Sequence, residues 1–267
     1  MTEIITSPQN QFIKLAVSLK QKKYRDDLSL FIVEGVRLVE EAAQSSWLVE
    51  TCIYTTEVLQ LDRVQQIIAD LKSKNCRMIQ VPGILFAKIT DTKAPQGIMV
   101  IAQKYTYQLS EVLITGMKPF FVVLDELQDP GNVGTIIRTA AAAGVTGVIL
   151  TKGCTDVFAS KVVRASMGSI FHVPIFEGVT NSDVISFFAK HKIDILATSL
   201  ESSNVYFKAD CNKSLAIVFG NEANGVSPQL LEHAQDKLHI PLLGRVESLN
   251  VAASAAIILY EVVRQRQ

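Results

Sequence analysis

The fold is decided by residues 120–144, which read FFVVLDELQDPGNVGTIIRTAAAAG. The first eight residues predict an apolar strand, and the stretch from about Val133 to Ala143 predicts a helix that Gly144 closes. Apolar runs without strict alternation are typical of a parallel sheet that helices cover on both faces. This stretch therefore predicts an α/β domain.

The same alternation of strand and helix continues to the end of the chain. Further strands are predicted at 147–150, 171–176, 193–200, 215–220 and 237–242, and further helices at 161–169, 182–191 and 249–264. The last helix is apolar nearly all round until Glu261. Such a helix is expected to be buried, either in the core or in a subunit contact.

The first part of the chain differs in its use of glycine. Only three of the fourteen glycines lie in the first 110 residues. Helices are predicted here at 8–24, 36–44 and 64–74, and strands at 31–35, 47–55 and 97–103. The sequence thus predicts a small α/β domain at 1–106, a polar linker at 107–117 with turn signals, and the larger α/β domain at 118–267.

Composition excludes several classes of protein. The 267 residues are 48% hydrophobic and 19% charged, which is typical of a folded globular chain. Lys+Arg and Asp+Glu are both 26, so bulk charge alone does not hold nucleic acid. No apolar run reaches the roughly 18 residues of a membrane span, and the N-terminus lacks the pattern of a secretion signal. The four cysteines are widely spaced, which predicts a reduced, cytoplasmic protein without a zinc site.

Three unusual loops are expected at the carboxyl ends of strands, where open α/β sheets bind ligands. They read DPGNVGTIIRTAAAAG at 129–144, FGNEANGVS at 219–227 and IPLLGRVESLNVAASAA at 240–256. None is a Walker A loop or a GxGxxG dinucleotide fingerprint, which lowers the case for a dinucleotide-dependent enzyme.

In order and in position, these loops resemble the three motifs of the SpoU (TrmH) family of RNA ribose 2′-O-methyltransferases. The first motif matches at Asn132, Gly134, Arg138, Ala140 and Gly144. The second matches at Gly220, Asn221, Glu222, Gly225 and Ser227. The third matches at Ile240, Pro241, Gly244 and the run Glu247–Ala252. FIVEGVRLVEEA, from residue 31, also resembles the start of the substrate-binding domain that often precedes this methyltransferase domain.

The resemblance implies a methyl donor, S-adenosylmethionine (AdoMet), and an acceptor, a ribose 2′-hydroxyl of RNA. It also implies a C-terminal trefoil knot and a homodimer. By the same resemblance, cofactor contacts are expected at Thr198, Ser199, Leu200, Gly220, Ile240, Leu242 and Leu249. Glycine at 220 would let the backbone approach the adenosyl group closely.

The resemblance also implies the catalytic residues Arg138, Asn132, Glu222, Ser248 and Asn250. Because a guanidinium stays protonated, Arg138 is expected to anchor a phosphate and stabilise the developing alkoxide rather than act as a base. Purely structural roles stay open: Asn132 and Ser248 as helix N-caps, Glu222 as an acceptor of backbone N–H groups, and Arg138 in a surface ion pair.

RNA contacts are expected in two basic segments. No acid occurs between residues 11 and 25, which contain Lys14, Lys22, Lys23 and Arg25. Lys161 and Arg164 are spaced three apart on one predicted helix. For both segments an ordinary solvated helix face is the alternative.

The leading hypothesis is therefore AdoMet-dependent 2′-O-methylation of structured RNA, with a guanosine of 23S-type rRNA ahead of tRNA. A tRNA 2′-O-methyltransferase and a non-catalytic RNA-binding or ribosome-assembly factor that retains the cofactor pocket are the alternatives. The four histidines show no metal-ligand spacing, and neither a metal nor a membrane is expected as a partner.

Overall fold

The computed structural model describes residues 2–200, 202 and 204–267. The chain forms two compact units. The first consists of Met1–Tyr105 together with Phe158–Phe171, and the second of Thr106–Val157 together with His172–Gln267. No helix in the described part of the chain is long and apolar enough to cross a bilayer.

The first unit is built on a five-stranded mixed sheet of order β1-β4-β3-β5-β2. Its strands are β1 (Thr2–Ile4), β2 (Leu30–Glu34), β3 (Val49–Thr55), β4 (Arg77–Val81) and β5 (Ile98–Gln103). Its helices are α1 (Gln11–Ser18), α2 (Lys22–Leu28), α3 (Val36–Gln44), α4 (Asp62–Ser73), α5 (Gly83–Ile89) and α7 (Ser160–Ala165). β1, β4 and β3 run parallel, and β5 is antiparallel to β3 and to β2.

The predicted helix over 8–24 is wrong in detail because it is two helices. Asn10 caps α1 by accepting the N–H of Phe12 at 2.9 Å, and α1 ends at Ser18. The turn into α2 is held by Arg25, whose Nη1 donates to the carbonyls of Leu19 and Lys20 at 2.7 and 2.8 Å. A buried side chain thus sets a break that helical periodicity does not show.

The domain boundary predicted from sequence needs a correction. The segment Phe158–Phe171 lies within the predicted domain 118–267 but belongs to the first unit. Its two phenylalanines explain why: the Phe158 ring lies 4.8 Å from that of Phe31, and the Phe171 ring 5.1 Å from that of Trp47. Burial of these aromatic rings fixes the segment in the first unit's core.

The predicted linker 107–117 is also not a free linker. Leu109, Val112 and Leu113 pack on the hydrophobic core of the second unit, and the ring of Tyr107 lies 6.2 Å from that of Phe176. The segment is therefore part of the second unit.

The second unit is an all-parallel six-stranded sheet of order β11-β9-β10-β6-β7-β8, which confirms the predicted α/β class. Its strands are β6 (Phe120–Leu124), β7 (Gly147–Thr151), β8 (Ile175–Val179), β9 (Asp194–Thr198), β10 (Leu215–Phe219) and β11 (Asp236–Leu238). Its helices are α6 (Pro130–Ala142), α8 (Asn181–His191), α9 (Pro228–Glu232) and α10 (Val251–Arg266). The predicted strand 171–176 is displaced, because Phe171 ends a 3₁₀ turn and the strand starts after Pro174.

The strand order of the six-stranded sheet indicates where the site lies. β7 and β8 follow β6 on one side, whereas β9, β10 and β11 lie on the other. The order therefore reverses between β6 and β10, and a crevice is expected at their carboxyl ends. The first motif follows β6 and the second follows β10, so both motifs start from this point.

The closing helix α10 is only half buried. Ala252, Ala255 and Leu259 are buried against the unit, and α10 packs against α6. Ile257 and Tyr260 lie on the other side, where Tyr260 is 51% exposed. Of the two expectations for this helix, burial all round in the core is therefore wrong, and burial of its other side in a subunit contact stays a prediction.

Candidate active site

The first motif starts with a helix cap. Asp129 is the N-cap of α6, and its Oδ1 accepts the N–H of Asn132 at 2.8 Å, while Pro130 occupies the first helical position. The expectation that Asn132 itself caps the helix is thus wrong. Because Asp129 does so, the Asn132 side chain is left to point toward the neighbouring loops.

The second motif is a tight loop at the end of β10. Asn221 and Gly225 exchange both backbone hydrogen bonds at 2.9 Å, and Gly225 has a φ of +70°. A Cβ at Gly220 would lie 2.1 Å from the backbone of Gly225 and Val226. The loop can therefore close only with glycine at 220, and Glu222 is exposed on it.

The third motif leads into α10, and its cap differs from the predicted one. Asn250 is the N-cap: its Oδ1 accepts the N–H groups of Ala252 and Ala253 at 2.9 and 3.3 Å. Ser248, which the sequence predicted in that role, is exposed in the preceding loop and caps nothing among the described residues.

One chain of hydrogen bonds joins the three motifs. Asn250 Nδ2 donates to Asn132 Oδ1 at 2.9 Å, and Asn132 Nδ2 donates to Glu222 Oε1 at 3.0 Å. The helix cap fixes the direction of this chain: since Asn250 Oδ1 already accepts two backbone N–H groups, its NH₂ must face Asn132. The NH₂ of Asn132 is thereby turned to the Glu222 carboxylate.

The Glu222 carboxylate is held in its charged form. Burial raises its pKa, but the hydrogen bond from the Asn132 amide lowers it, and so do backbone N–H groups at Gln128 and Asp129. The resulting pKa lies below the ordinary value of 4.5. The site therefore presents a carboxylate, an acceptor only, at neutral pH.

Arg138 lies on α6 outside this chain. It is six residues beyond Asn132, which places it about 240° further round the helix, on the same exposed stripe as Thr135. Its guanidinium forms no hydrogen bond or ion pair with another described residue. All its N–H donors are thus available to an anion such as a phosphate.

The loops predicted to hold the cofactor follow three adjacent strands, β11, β9 and β10. Thr198 ends β9, and its hydroxyl donates to the carbonyl of Val218 at 3.0 Å. The N–H of Ser199 donates to the carbonyl of Leu238 at 2.9 Å, and Leu200 is exposed. Thr198 and Ser199 thereby fasten the strand ends together.

The segment 240–249 has the chemistry that an adenosyl group requires. Its backbone N–H and C=O groups form no hydrogen bond with another described residue. Leu243, Val246 and Leu249 are exposed, Leu243 at 99%, whereas Ile240 and Leu242 are partly buried. Open backbone groups beside apolar side chains suit a ligand with a flat apolar base and polar edges. Ile240, Leu242 and Leu249, with Gly220 and Leu200, fit AdoMet and would hold it.

The predicted RNA-binding residues fall into two groups. Lys14 and Lys23 are exposed on α1 and α2, whereas exposed Lys22 forms an ion pair with Asp26 at 2.9 Å. Arg25 is only 5% exposed, and its guanidinium holds the α1–α2 turn as described above. The expectation that Arg25 reaches RNA is therefore wrong.

Arg164 lies in the first unit, on α7, and not in the methyltransferase unit where the sequence placed it. It is partly exposed, and its Nη1 is buried without a hydrogen-bond partner in the described part of the chain. Among the described residues, no group of three or more His, Cys, Asp and Glu side chains could hold a metal ion.

Sequence reasoning missed two residues that lie beneath the second motif loop, Asp125 and Thr151, and gave Ser227 no role beyond its place in that motif. Asp125 follows β6 and is buried, Thr151 ends β7, and Ser227 ends the second motif loop. One signal was available: Asp125 is a charged residue directly after a run of five apolar ones. A buried carboxylate there requires partners.

Comparison with known proteins agrees with this architecture. Residues 119–260 match the SpoU rRNA Methylase family, and residues 10–100 match the MRM3-like substrate binding domain. The chain is similar to the 23S rRNA (guanosine(2553)-2′-O)-methyltransferase RlmP of Bacillus subtilis, with 37% identity over 96% of this chain and 97% of the relative.

Solved structures give the same result. The AdoMet-bound rRNA methyltransferase from Sinorhizobium meliloti superposes with a TM-score of 0.86 at 33% identity and covers 98% of both chains. The SpoU methyltransferase AviRb from Streptomyces viridochromogenes, in complex with AdoMet, gives a TM-score of 0.87 at 26% identity over 97% of this chain and 98% of that chain. The chain therefore belongs to the SpoU family of RNA methyltransferases and carries an MRM3-like substrate-binding domain ahead of its methyltransferase domain.

Proposed function

We propose that this protein transfers a methyl group from AdoMet to the 2′-hydroxyl of a guanosine ribose in 23S-type rRNA. The observation that carries the proposal is the hydrogen-bond chain from Glu222 through Asn132 to Asn250. It ties the three motifs to one another next to loops whose open backbone and apolar side chains fit AdoMet. When bound, AdoMet supplies an electrophilic methyl group on a sulfonium.

Arg138 has the substrate role in this proposal. Its free guanidinium binds an RNA phosphate and stabilises negative charge that develops on the 2′-oxygen. It does not remove the proton, because a guanidinium remains protonated at neutral pH. Asn132 and Glu222 hold the ribose, and Asn250 fixes their orientation. Holding the two reacting groups in line lowers the barrier by up to about 7–11 kcal/mol.

The choice of rRNA rests on the relatives and on the first unit. RlmP acts on 23S rRNA by its name, and this chain covers nearly all of it. The first unit matches a substrate-binding domain and presents Lys14, Lys23 and Arg164 for phosphate contacts. Basic side chains on one unit offer phosphate contacts to RNA that the zero net charge of the whole chain does not exclude.

Two further properties belong to the proposal. The exposed apolar residues Ile257 and Tyr260 on α10 support a homodimer, since apolar side chains at a protein surface favour burial in a subunit contact. All four cysteines are free thiols, which fits a reducing compartment such as the cytoplasm.

The test is methyl transfer from labelled AdoMet into separate pools of unmodified rRNA and tRNA. We expect label in rRNA that protects one ribose from alkaline cleavage. Arg138→Ala should lower kcat/KM at least about 100-fold while binding of S-adenosylhomocysteine stays within twofold. Lys190→Ala, which removes an exposed cation from α8 of the same unit, is the control and should leave both unchanged.

The alternatives give different results. Label in tRNA alone would identify a tRNA methyltransferase. Binding of S-adenosylhomocysteine without transfer to naked or ribosomal RNA would favour a non-catalytic assembly factor. Near-normal turnover of Arg138→Ala would exclude the role given to this residue.

A further inference from the structure

Asp125 is a buried carboxylate under the second motif loop. It directly follows β6 and is 1% exposed. Its hydrogen-bond donors are neutral: the Thr151 hydroxyl donates to Oδ1 at 3.1 Å, and the N–H of Ser227 donates to Oδ2 at 2.7 Å. Taking a carboxylate out of water is unfavourable unless hydrogen bonds compensate, so these two bonds determine the position of the Asp125 carboxylate.

The two ends of the loop 221–227 are hydrogen-bonded to two consecutive residues, one end to Asp125 and the other to Glu126. At one end, the N–H of Ser227 is bound by the Asp125 carboxylate. At the other end, Asn221 Nδ2 donates to the carbonyl of Glu126 at 2.9 Å. Between these points the loop is closed by the paired hydrogen bonds of Asn221 and Gly225. The position of Glu222 therefore depends on the dipeptide Asp125–Glu126.

The hydrogen bond from Asn221 to the Glu126 carbonyl depends on Asp125 as well. Glu126 has a φ of +56°, a conformation that costs energy for a residue with a side chain. Its N–H is accepted by the Thr151 hydroxyl at 3.0 Å, and the same hydroxyl gives its proton to Asp125. The Lys152 carbonyl, at 3.4 Å, is the other acceptor in reach. The Asp125 carboxylate thus orients the Thr151 hydroxyl, and a lone pair of that hydroxyl accepts the hydrogen bond from the Glu126 N–H.

We propose that Asp125 is a positioning residue of the methyltransferase site, which clamps the loop 221–227 and thereby sets Glu222 against Asn132. It acts through Ser227 and Thr151 and touches neither cofactor nor ribose. The kinetic part of this inference rests on the proposed methyl transfer, whereas the clamp itself is a property of the folded chain that can be measured without RNA.

The test uses three variants of the full chain. Asp125→Ala removes the acceptor of both hydrogen bonds, from Thr151 and from Ser227. Asp125→Asn keeps an acceptor for only one of these two donors. Thr151→Val removes the hydroxyl at nearly constant side-chain shape. The matched control is Thr146→Val. The Thr146 hydroxyl accepts a backbone N–H of β6 at 2.9 Å, from Phe120, but at the opposite end of the strand.

Two readouts are needed: hydrogen–deuterium exchange of the peptide spanning 219–227, and the kinetics of methyl transfer. We expect Asp125→Ala and Thr151→Val to speed exchange in this peptide relative to the rest of the second unit, with Asp125→Asn in between. We expect kcat to fall about 10- to 100-fold, since displacement of a site by 1 Å costs about that much, while KM for RNA changes less than threefold. Thr146→Val should change neither loop exchange nor kcat.

Each outcome decides the proposal. Wild-type exchange of 219–227 in Thr151→Val and Asp125→Ala would overturn it, as would an increase spread evenly over the unit and matched by Thr146→Val. If Asp125→Ala fails to fold, Thr151→Val and Asp125→Asn carry the same comparison. If the wild-type chain methylates no RNA, the proposed function fails, and exchange in the loop alone still supports or excludes the clamp.

Discussion

Asn132 orders the site through the direction of its hydrogen bonds. Its carbonyl accepts from Asn250, and its NH₂ donates to Glu222. An aspartate at 132 has nearly the same shape but no donor, so it would set a second negative charge against the Glu222 carboxylate. Two carboxylates this close raise each other's pKa.

We therefore predict that Asn132→Asp raises the pKa of Glu222 above its ordinary value of 4.5. In the wild type the pKa is lowered by folding, so Glu222 contributes stability above about pH 4.5 that is lost as the pH falls through the native pKa. In the variant this carboxylate opposes folding at neutral pH, and acidification toward pH 5 relieves the repulsion.

The measurement is a ¹³C NMR titration of the Glu222 side chain, together with urea midpoints at pH 7 and pH 5. Glu222→Gln is the control, because it removes the charge and keeps an oxygen that can accept from Asn132. An unchanged Glu222 titration in Asn132→Asp would show that the hydrogen bond does not govern this carboxylate.

Residue roles were only partly predictable from the sequence. Ser248 and Asn250 are both good N-cap residues, two positions apart, and propensity alone does not choose between them. The structure chooses Asn250, because its amide can cap α10 and also reach Asn132. The sequence signals that Asp125 is a buried carboxylate but does not give its role, since both of its partners are distant in sequence.

At the scale of elements, the loop after β10 depends on the absence of a side chain at 220. A Cβ there would meet backbone atoms at 2.1 Å, which no rotamer change relieves. We predict that Gly220→Ala destabilises the second unit by about 1–3 kcal/mol and abolishes detectable binding of S-adenosylhomocysteine.

Calorimetric titration and thermal unfolding check this prediction. Gly83→Ala at the start of α5 is the control, because a Cβ there meets no atom within 4 Å and alanine favours the helix. Normal ligand binding by Gly220→Ala would mean that the loop has another closed conformation.

Arg266 fastens the end of α10 to the sheet. Arg266 donates to the carbonyls of Cys211, Lys118 and Lys213 at 3.1, 3.0 and 2.5 Å, and its guanidinium lies 5.1 Å from the centre of the Phe120 ring. These residues lie just before β6 and β10, so the last turn of the chain is fastened to two strands of the sheet.

We predict that Arg266→Ala lowers the free energy of unfolding of the second unit by about 1.5–3 kcal/mol, because charge-assisted hydrogen bonds to partly buried carbonyls are lost. Arg264→Ala is the matched control two residues away; its guanidinium is exposed and pairs with Glu261 at 2.7 Å, so we expect a clearly smaller loss than for Arg266→Ala. Urea unfolding followed by tyrosine fluorescence distinguishes them, and equal losses would contradict the assignment.

Elements with strong periodicity were predictable from the sequence, and elements set by tertiary contacts were not. β6, α6 and α10 carry apolar signals over their full length, and the structure has them at nearly the predicted positions. By contrast, β1 is three exposed residues long and has no apolar signal of its own. It forms because its backbone pairs with β4.

At the scale of the whole molecule, the two units are not consecutive in sequence. Phe158–Phe171 interrupts the second unit and belongs to the first. Sequence reading divides a chain into consecutive stretches, and α7 was predicted correctly as a helix but assigned to the wrong unit. The flanking residues Phe158 and Phe171 reveal where it belongs, because their rings pack on Phe31 and Trp47, more than 100 residues earlier.

This arrangement changes what a truncation is expected to do. A boundary near residue 106 alone would predict that deletion of the first domain leaves a folded methyltransferase domain. The structure predicts otherwise: deletion of residues 1–105 removes Phe31 and Trp47, and it exposes the buried rings of Phe158 and Phe171 to water. Exposed apolar clusters of this kind promote association.

We predict that the fragment 106–267 aggregates and binds the dye ANS, and that Phe158→Ser with Phe171→Ser in the same fragment restores a soluble species. In the full chain the same double substitution should destabilise the first unit, by several kcal/mol for two buried rings. Size-exclusion chromatography and ANS fluorescence of both fragments make the comparison. A monodisperse, ANS-negative fragment 106–267 with unmodified phenylalanines would show that Phe158–Phe171 needs no packing partner from residues 1–105. The domain boundary near residue 106 that the sequence predicts would then be correct.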